Sequence, residues 1–214
     1  MSSSKKSPTA PAAPRLAGRP RDEAAGPAIL AAARELVAAH GYEGVTTDAI
    51  AEAAGVGKQT IYRRWPSKAH LVLDAFVAHA HSAVDHASHQ SLEPAVRSFL
   101  VRTFRALEVT GMAIRSLMAH AQGDAGFRED FRTRFIGPRR AALAHVIVEA
   151  AVRDGAKITA ADVDAAVIAL FGALWYRLLL GEPLDADLAT RLARLLSAGL
   201  LRAANPGGER DRVA

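Results

Sequence analysis

Apolar residues recur every three or four positions along most of the chain, a spacing that predicts amphipathic helices rather than strands. Alanine, leucine, arginine and glutamate dominate these stretches, and no segment alternates strictly between apolar and polar residues. The pattern predicts helices over residues 27–40, 46–54, 58–65, 67–81, 92–109, 112–122, 125–153, 160–180 and 185–204. We therefore expect an all-α protein.

Glycine and proline divide the second half of this pattern. Gly111, Gly155 and Gly181 predict breaks between helices, because glycine weakens a helix interior and favours its end. Pro138 lacks a backbone N–H, so it predicts a kink in the helix over 125–153 or its division in two. A stretch rich in histidine and serine near residues 80–90 predicts the boundary between a compact head and a larger body.

The chain is thus expected to have four segments. Residues 1–26 and 205–214 are rich in small, polar, proline and glycine residues and predict disordered ends. Between them lie a helical head over residues 27–80 and a larger helical bundle over residues 81–204. No apolar run approaches the ~18–20 uncharged residues that a membrane span needs. The sequence has no cysteine, which fits a reducing cytoplasm.

The net charge of +5 is concentrated in one place. Five basic residues and no acidic residue lie within residues 1–21, and the rest of the chain has 22 basic and 22 acidic residues. The basic residues of this arm are Lys5, Lys6, Arg15, Arg19 and Arg21. A short basic arm is typical of contact with nucleic acid or another anionic surface, although a solubilising tail has the same composition.

Residues 46–65 have the spacing of a helix-turn-helix. Ala51 is small enough to let two helices cross closely, and Gly55 follows where the turn requires a left-handed backbone. Val56 and Ile61 are then expected to face back into the helix pair. Thr46 is a good N-cap for the first helix of the motif. The pattern therefore predicts a recognition helix over residues 58–65.

This third helix has two distinct faces. At ~100° per residue, Gln59, Thr60 and Arg63 share one arc, whereas Ile61 and Trp65 lie on the opposite side. Gln can bond adenine, Arg can bond guanine, and the methyl group of Thr can contact thymine in the major groove. A merely solvated helix pair would show the same polarity, but the segment from 57 to 68 has four basic residues and no acidic one.

Residues 29–76 resemble the DNA-binding head of the TetR/AcrR family. The resemblance rests on a Gly-aromatic pair, a Thr-initiated helix, and the Ile-Ala and Ala-Gly-Val elements that follow. The matching residues are Gly41, Tyr42, Thr46, Ile50, Ala51, Ala54, Gly55, Val56, Tyr62, Lys68 and Leu71. Two residues depart from the pattern: Gln59 stands where a small residue is common, and Trp65 where Phe or Leu is usual. The remainder resembles the family only as a helical body of suitable length.

The resemblance implies a dimeric, ligand-responsive repressor that binds a palindromic DNA operator. It implies that Thr46 and Thr47 approach phosphate, that Tyr62 and Lys68 bind phosphates, and that the recognition helix contacts bases. The residues expected near bases are Lys58, Gln59, Thr60 and Arg63, with Arg64 on the flank. Gly18, Arg19 and Pro20, with Arg21 beside them, partly resemble the core of an AT-hook, so the arm is expected in the minor groove or on phosphates.

The two last helices are expected to form the dimer interface. The helix over 160–180 is apolar almost all round until Arg177, which favours burial on two sides. The helix over 185–204 has a stripe formed by Leu188, Leu192, Leu195, Leu196 and Leu200. A two-fold dimer would double the DNA contacts and match a palindrome. A monomeric pair of core helices is the alternative.

A pocket for a small-molecule effector is expected in the middle of the bundle. Its candidate walls are Phe99, Phe104, Leu107, Met112, Met118, Phe127, Phe131 and Trp175, although core packing explains each residue singly. An uncharged or amphipathic organic molecule is the default ligand class, and no cofactor is expected.

Two alternatives remain. His79, His81, His86 and His89 crowd one region, so a metal-responsive regulator is conceivable, but no cysteine and no regular i, i+4 pair accompany them. An all-helical enzyme is the more remote alternative, since the sequence has no glycine-rich phosphate loop, nucleophile elbow or His-Glu zinc motif.

Overall fold

The computed structural model describes residues 19–80 and 91–204 of the chain. All regular elements in these two ranges are helical, which confirms the all-α prediction. The helices are α1 (Arg19–His40), α2 (Thr47–Ala53), α3 (Lys58–Arg64), α4 (Lys68–Ala80), α5 (Leu92–Gly123), α6 (Ala125–Asp130), α7 (Gly137–Arg153), α8 (Ala160–Leu180) and α9 (Ala186–Ala204). A π-helical turn (Phe131–Ile136) joins α6 to α7.

Helices α1 to α4 form a small head around one apolar core. Ile29, Ile50, Ile61 and Leu71, one from each helix, are almost completely buried there. The same core continues into the body, where Phe127 and its neighbours of the second half pack against it. The head is therefore joined to the body by packed side chains and not only by the chain.

The start of α1 differs from the prediction. The helix begins at Arg19 and not at residue 27, so the predicted boundary of the arm falls inside a helix. Proline costs little in a first helical turn, as at Pro20, and the acidic residues Asp22 and Glu23 favour a helix N-terminus. Residues 1–18 and 205–214, for which disorder was predicted, lie outside the described residues.

Helix α5 is continuous, so the predicted break at Gly111 was wrong. A Cβ atom at Gly111 would lie 2.9 Å from Cδ1 of Leu178 in α8. The glycine thus allows two long helices to approach closely and does not end either of them. Gly155 and Gly181 do follow helix ends as predicted, with φ of 67° and 71°.

The helix predicted over 125–153 is not split in two, because its backbone keeps right-handed helical angles on both sides of the π-helical turn. Pro138 lies at the start of α7, directly after that turn. Proline cannot donate to the carbonyl four residues earlier, that of Arg134, and its ring crowds that carbonyl. The backbone N–H of Gly137 instead bonds the carbonyl of Arg132, five residues earlier. The wider turn between α6 and α7 therefore has a physical cause in the sequence.

Helices α5, α7, α8 and α9 form the rest of the body around a second apolar cluster. Helix α8 begins with a capping box between Thr159 and Asp162, and hydrogen bonds from Thr159 lower the pKa of the Asp162 carboxyl. Among the described helices, α8 is long and apolar enough to pass a length-and-composition test for a membrane span. Core helices of soluble proteins pass the same test, and seven residues of α8 are buried inside the body.

Candidate nucleic-acid interface

The turn between α2 and α3 has the geometry that the sequence predicted. The Thr46 hydroxyl accepts a hydrogen bond from the backbone N–H of Ala49 at 3.1 Å and so caps α2. Gly55 has a φ of 65°, in the left-handed region that glycine adopts at little cost. Ala51 is buried, and the backbone N–H of Val56 bonds its carbonyl at 2.9 Å. Together these features fix the angle at which α3 leaves α2.

Helix α3 presents a polar face to solvent and an apolar face to the head. Gln59 and Arg63 are exposed and Thr60 is half-buried, whereas Ile61 is 1% exposed. Trp65 follows the last turn and is 7% exposed, so the larger aromatic residue is accommodated in the core. The structure therefore brings the three predicted base-reading residues onto one accessible surface.

The flanks of α3 are tied to the beginning of α2. The hydroxyl groups of Thr47 and Tyr62 lie 2.8 Å apart and share a hydrogen bond. The ammonium of Lys58 forms an ion pair with Asp48, and both side chains are more than half exposed. The first pair holds two predicted phosphate-binding groups side by side, and the second holds Lys58, which was predicted near bases, against the start of α2. Surface pairs of this kind add little to stability, but they limit the orientations of long side chains.

Lys68 has contacts inside the head that the sequence did not predict. Its Nζ donates to the backbone carbonyls of Tyr42 and Val45 at 2.8 and 3.0 Å. It also lies 4.1 Å from the centre of the Tyr42 ring, whose hydroxyl pKa is raised by burial and by nearby Glu43. The ammonium group thus fastens the loop between α1 and α2, because charged donors satisfy carbonyls that the loop leaves without helical partners. Phosphate binding by Lys68 stays a prediction beside this structural role.

Replacing Lys68 by methionine should lower the free energy of unfolding by about 2–3 kcal/mol. The change removes two hydrogen bonds from a charged donor and leaves two carbonyls less well satisfied. Urea unfolding followed by circular dichroism measures the effect. Lys157→Met is the matched control, since Lys157 is exposed in the loop before α8 and a surface change there should cost less than about 0.5 kcal/mol. Equal stability of the two variants would contradict the assignment.

The remaining predicted DNA contacts lie at the edge of the head. Nη1 of Arg64 lies so close to α1 that a Cβ atom at Gly26 would be 2.8 Å from it. Arg64 therefore packs along α1 as well as flanking α3. Arg19 and Arg21 belong to the first turn of α1. The backbone at Arg19 and Pro20 is therefore helical and not extended as in an AT-hook. The side chains of this turn lie outside the described residues.

The predicted walls of the effector pocket are divided between the two apolar clusters. Phe127 and Phe131 are buried in the core shared with the head, and Met118 packs against it. Phe104 is buried in the second cluster, with Phe99 packed against that cluster. Leu107 and Trp175 contact both clusters.

Met112 does not contribute to the interior at all, because it is 71% exposed on the outer side of α5. A groove of about 460 Å³ is present instead between α1 and α2 in the head, lined mainly by alanines. It lies away from the position predicted for the effector pocket.

Four polar residues at the junction of head and body were missed by sequence reasoning. Asp74 of α4 contacts both Trp65 and Arg134. The rings of His70 in α4 and His120 in α5 each contact the Phe127 ring edge-on. These contacts join residues up to 60 positions apart. No local pattern signals such pairs.

A cation in the body was missed as well. The Arg139 guanidinium lies 3.5 Å from the centre of the Phe135 ring and donates to the Phe135 carbonyl at 2.8 Å. Phe135 in turn stacks on Phe131. Burial lowers the pKa of Arg139 to about 10, which leaves the group charged at neutral pH. The aromatic stack therefore ends in a positive charge.

Metal binding through the histidine-rich region cannot be placed. His81, His86 and His89 lie outside the described residues, as does the side chain of His79. Within residues 19–80 and 91–204, no three metal-ligating side chains come together.

Comparison with known proteins agrees with this architecture. Residues 29–75 match the family model described as bacterial regulatory proteins, tetR family, and residues 86–196 match the tetracyclin repressor-like C-terminal domain. The uncharacterized HTH-type transcriptional regulator YdeS of Bacillus subtilis is 34% identical over 76% of this chain and 82% of its own. The DNA-binding transcriptional repressor TetR of Mycobacteroides abscessus is 29% identical over 87% of this chain and 97% of its own.

Solved structures show the same fold. The crystal structure of the TetR family transcription regulator SCO0332 superposes with a TM-score of 0.69 at 28% identity, covering 82% of this chain and 97% of that one. A helix-turn-helix head joined to a helical body is the architecture of DNA-binding regulators. The chain belongs to the TetR family of bacterial regulatory proteins. It is a ligand-responsive transcriptional repressor, and the enzyme alternative falls with that assignment.

Proposed function

We propose that the protein represses transcription as a homodimer on a palindromic operator, with α3 in the major groove. The observation that carries the proposal is the accessible face of α3. Gln59, Thr60 and Arg63 lie together on that face, while Ile61 and Trp65 anchor the helix in the head. Side chains with bidentate hydrogen-bonding capacity on a fixed helix are suited to reading base edges.

The flanking groups are proposed to bind the DNA backbone. Thr46 and Thr47 at the start of α2, and Tyr62 with its hydroxyl beside Thr47, form a polar edge next to α3. Arg64 adds positive charge there, whereas Lys58, which pairs with Asp48, is proposed to lie near the bases. Phosphate contacts of this kind fix the register of a protein on DNA without reading sequence. The arm, including Arg19 and Arg21, is proposed to contact phosphates or the minor groove through its positive charge.

The dimer interface is proposed to form from α8 (Ala160–Leu180) and α9 (Ala186–Ala204). Exposed apolar and small residues follow one stripe of α8 at intervals of three and four positions. The stripe consists of Ala161, Ala165, Ile168, Ala169, Gly172, Tyr176, Leu179 and Leu180. On α9, Leu195 is 71% exposed, and Ala198 and Gly199 lie beside it on the same side. Small residues allow close approach of helices, and an apolar surface this continuous is typical of a protein interface.

The effector is proposed to be an apolar or amphipathic organic molecule that binds within the body. Leu107 and Trp175 support this location, because they touch both the core shared with the head and the second core. A molecule inserted at this seam would change how the two clusters pack. A ligand that binds one packing better shifts the population toward it and alters the affinity for DNA.

A regulator of this kind acts in the cytoplasm, where its operator lies.

The proposal is tested by selecting duplexes from a random DNA pool with the full-length protein. The expected result is a palindromic sequence whose half-sites lie about one helical turn apart, ~34–36 Å. Fluorescence anisotropy should then show affinity for the selected duplex at least about 1,000-fold above that for a random duplex. The affinity should fall steeply with salt, as phosphate contacts require. Failure to enrich any sequence would reject the proposal.

Metal-dependent regulation through the region 79–89 stays a second candidate. Binding to the selected duplex tests this candidate directly. If the regulation is metal-dependent, zinc or nickel at micromolar concentration should change the affinity for the duplex, and a chelator should reverse the change.

A further inference from the structure

The Asp74 carboxylate in α4 joins the end of the recognition helix to the body. Its Oδ2 accepts a hydrogen bond from the Trp65 indole Nε1–H at 2.9 Å. Its Oδ1 accepts one from Nη2 of Arg134 at 2.5 Å, which makes an ion pair. The two partners are 9 and 60 residues away along the chain. One side chain thus bridges three separate elements of the fold.

Each partner lies where a small displacement matters. Trp65 directly follows α3, and its backbone N–H bonds the carbonyl of Ile61, so the indole fixes the end of the reading helix. Arg134 belongs to the π-helical turn (Phe131–Ile136). Turns of this kind occur frequently at functional sites, and reverting one to α-helical geometry rotates the side chains that it carries. A Phe or Leu at position 65 has no N–H to donate, so the link depends on the tryptophan of this chain.

We propose that Asp74 is a positioning residue for the DNA-binding face, through which the body sets the orientation of α3. The inference rests on the proposed function, because it assigns the regulation of that same site. The body holds Arg134, Arg134 holds Asp74, and Asp74 holds the indole at the end of α3. A change in the body that moves the π-helical turn breaks or strains this link. Coupling of this kind is reciprocal, so DNA binding also stabilises the linked arrangement of the body.

The link is tested with full-length variants and the duplex selected by the wild-type protein. Arg134→Gln removes the charge, Arg134→Lys keeps it, and Trp65→Phe removes the indole donor while keeping an aromatic anchor. Arg132→Gln is the matched control, because Arg132 lies in the same turn but pairs with Glu129 on the surface. The measurements are anisotropy with the selected and random duplexes, urea unfolding, and the emission of Trp65 in a Trp175→Phe background, since the chain has two tryptophans.

Arg134→Gln and Trp65→Phe are each expected to weaken binding to the selected duplex about 5- to 20-fold, as the loss of a charged hydrogen bond at a partly exposed site predicts. The double variant should bind the selected duplex as well as whichever single variant binds it more weakly, because both substitutions break the same link. Arg134→Lys should restore affinity to within about twofold. Arg134→Gln should also shift the Trp65 emission without lowering the urea midpoint below that of Arg132→Gln.

Unchanged affinity in Arg134→Gln, an equal loss in Arg132→Gln, or losses that multiply in the double variant would each overturn the inference. If the wild-type protein enriches no duplex, the proposed function fails. The Trp65 emission of Arg134→Gln then still decides whether the link exists, since an unchanged spectrum overturns it.

Discussion

Replacing Arg63 by alanine is expected to weaken binding to the selected operator by roughly 30-fold to 20,000-fold. A bidentate arginine contact with guanine contributes about 1–3 kcal/mol of discrimination against other bases. A two-fold dimer makes the contact twice, so one substitution removes about 2–6 kcal/mol from the complex. Arg63 is exposed on α3, and its loss should change the free energy of unfolding by less than about 0.5 kcal/mol.

The measurement compares a selected duplex with a random one. Binding to the random duplex should fall much less, because it depends on phosphate neutralisation and not on base contacts. Arg102→Ala is a suitable control, because it removes the same charge from an exposed position on α5 in the body. If Arg63→Ala weakened both duplexes equally, Arg63 would be a phosphate contact and not a base-reading residue.

The face of α3 could be predicted because its determinants are local. The turn before α3 requires a left-handed backbone at Gly55, two residues before the N-cap of the helix. The observed φ of 65° at Gly55 lies in that region. The separation of Gln59 and Arg63 from Ile61 follows from the period of the helix alone. Signals that act within one or two helical turns leave their mark in the sequence, so the helix-turn-helix was predictable at the level of single residues.

Lys68 shows what this local reasoning leaves out. A lysine near a predicted recognition helix has the right charge for phosphate, but its partners are carbonyls 23 and 26 residues earlier. A flexible side chain reaches whichever acceptor the tertiary structure places nearby, and helix periodicity carries no information about it. Asp74 is a clearer case, since neither Trp65 nor Arg134 lies within its own helix.

Gly111 was misread for a related reason. Glycine within a helix reads as a stop when only local propensity is considered. Here a Cβ atom would lie 2.9 Å from Cδ1 of Leu178 in α8, so a larger residue requires that leucine to shift. The packing of two helices compensates for the weaker propensity, and α5 continues for 32 residues. The same priority of packing over propensity explains why the effector pocket could not be located from apolar residues alone.

Replacing Ile168 by glutamate should convert the dimer to a monomer and reduce operator affinity by about 100-fold or more. Ile168 is 53% exposed in the middle of the apolar stripe of α8. In a two-fold interface the substitution places two carboxylates into largely apolar, buried surroundings, and the nearest cation on this side of α8, Arg140, is already paired with Asp164. Desolvation of two unpaired charges costs about 3–5 kcal/mol each, which is a large part of the association energy of an interface of ordinary size.

Sedimentation equilibrium at micromolar concentration measures the effect on assembly. Val109→Glu is the matched control, because Val109 is 68% exposed on α5 and outside the stripe, so this variant should remain dimeric. Both variants should keep their helical circular dichroism, since neither side chain belongs to the buried core. A monomer reads one half-site and loses the gain of a second tethered head, which is why affinity for a palindrome should fall together with dimerisation. A dimer that persisted in Ile168→Glu would move the interface away from this face of α8 and leave its apolar surface to another partner.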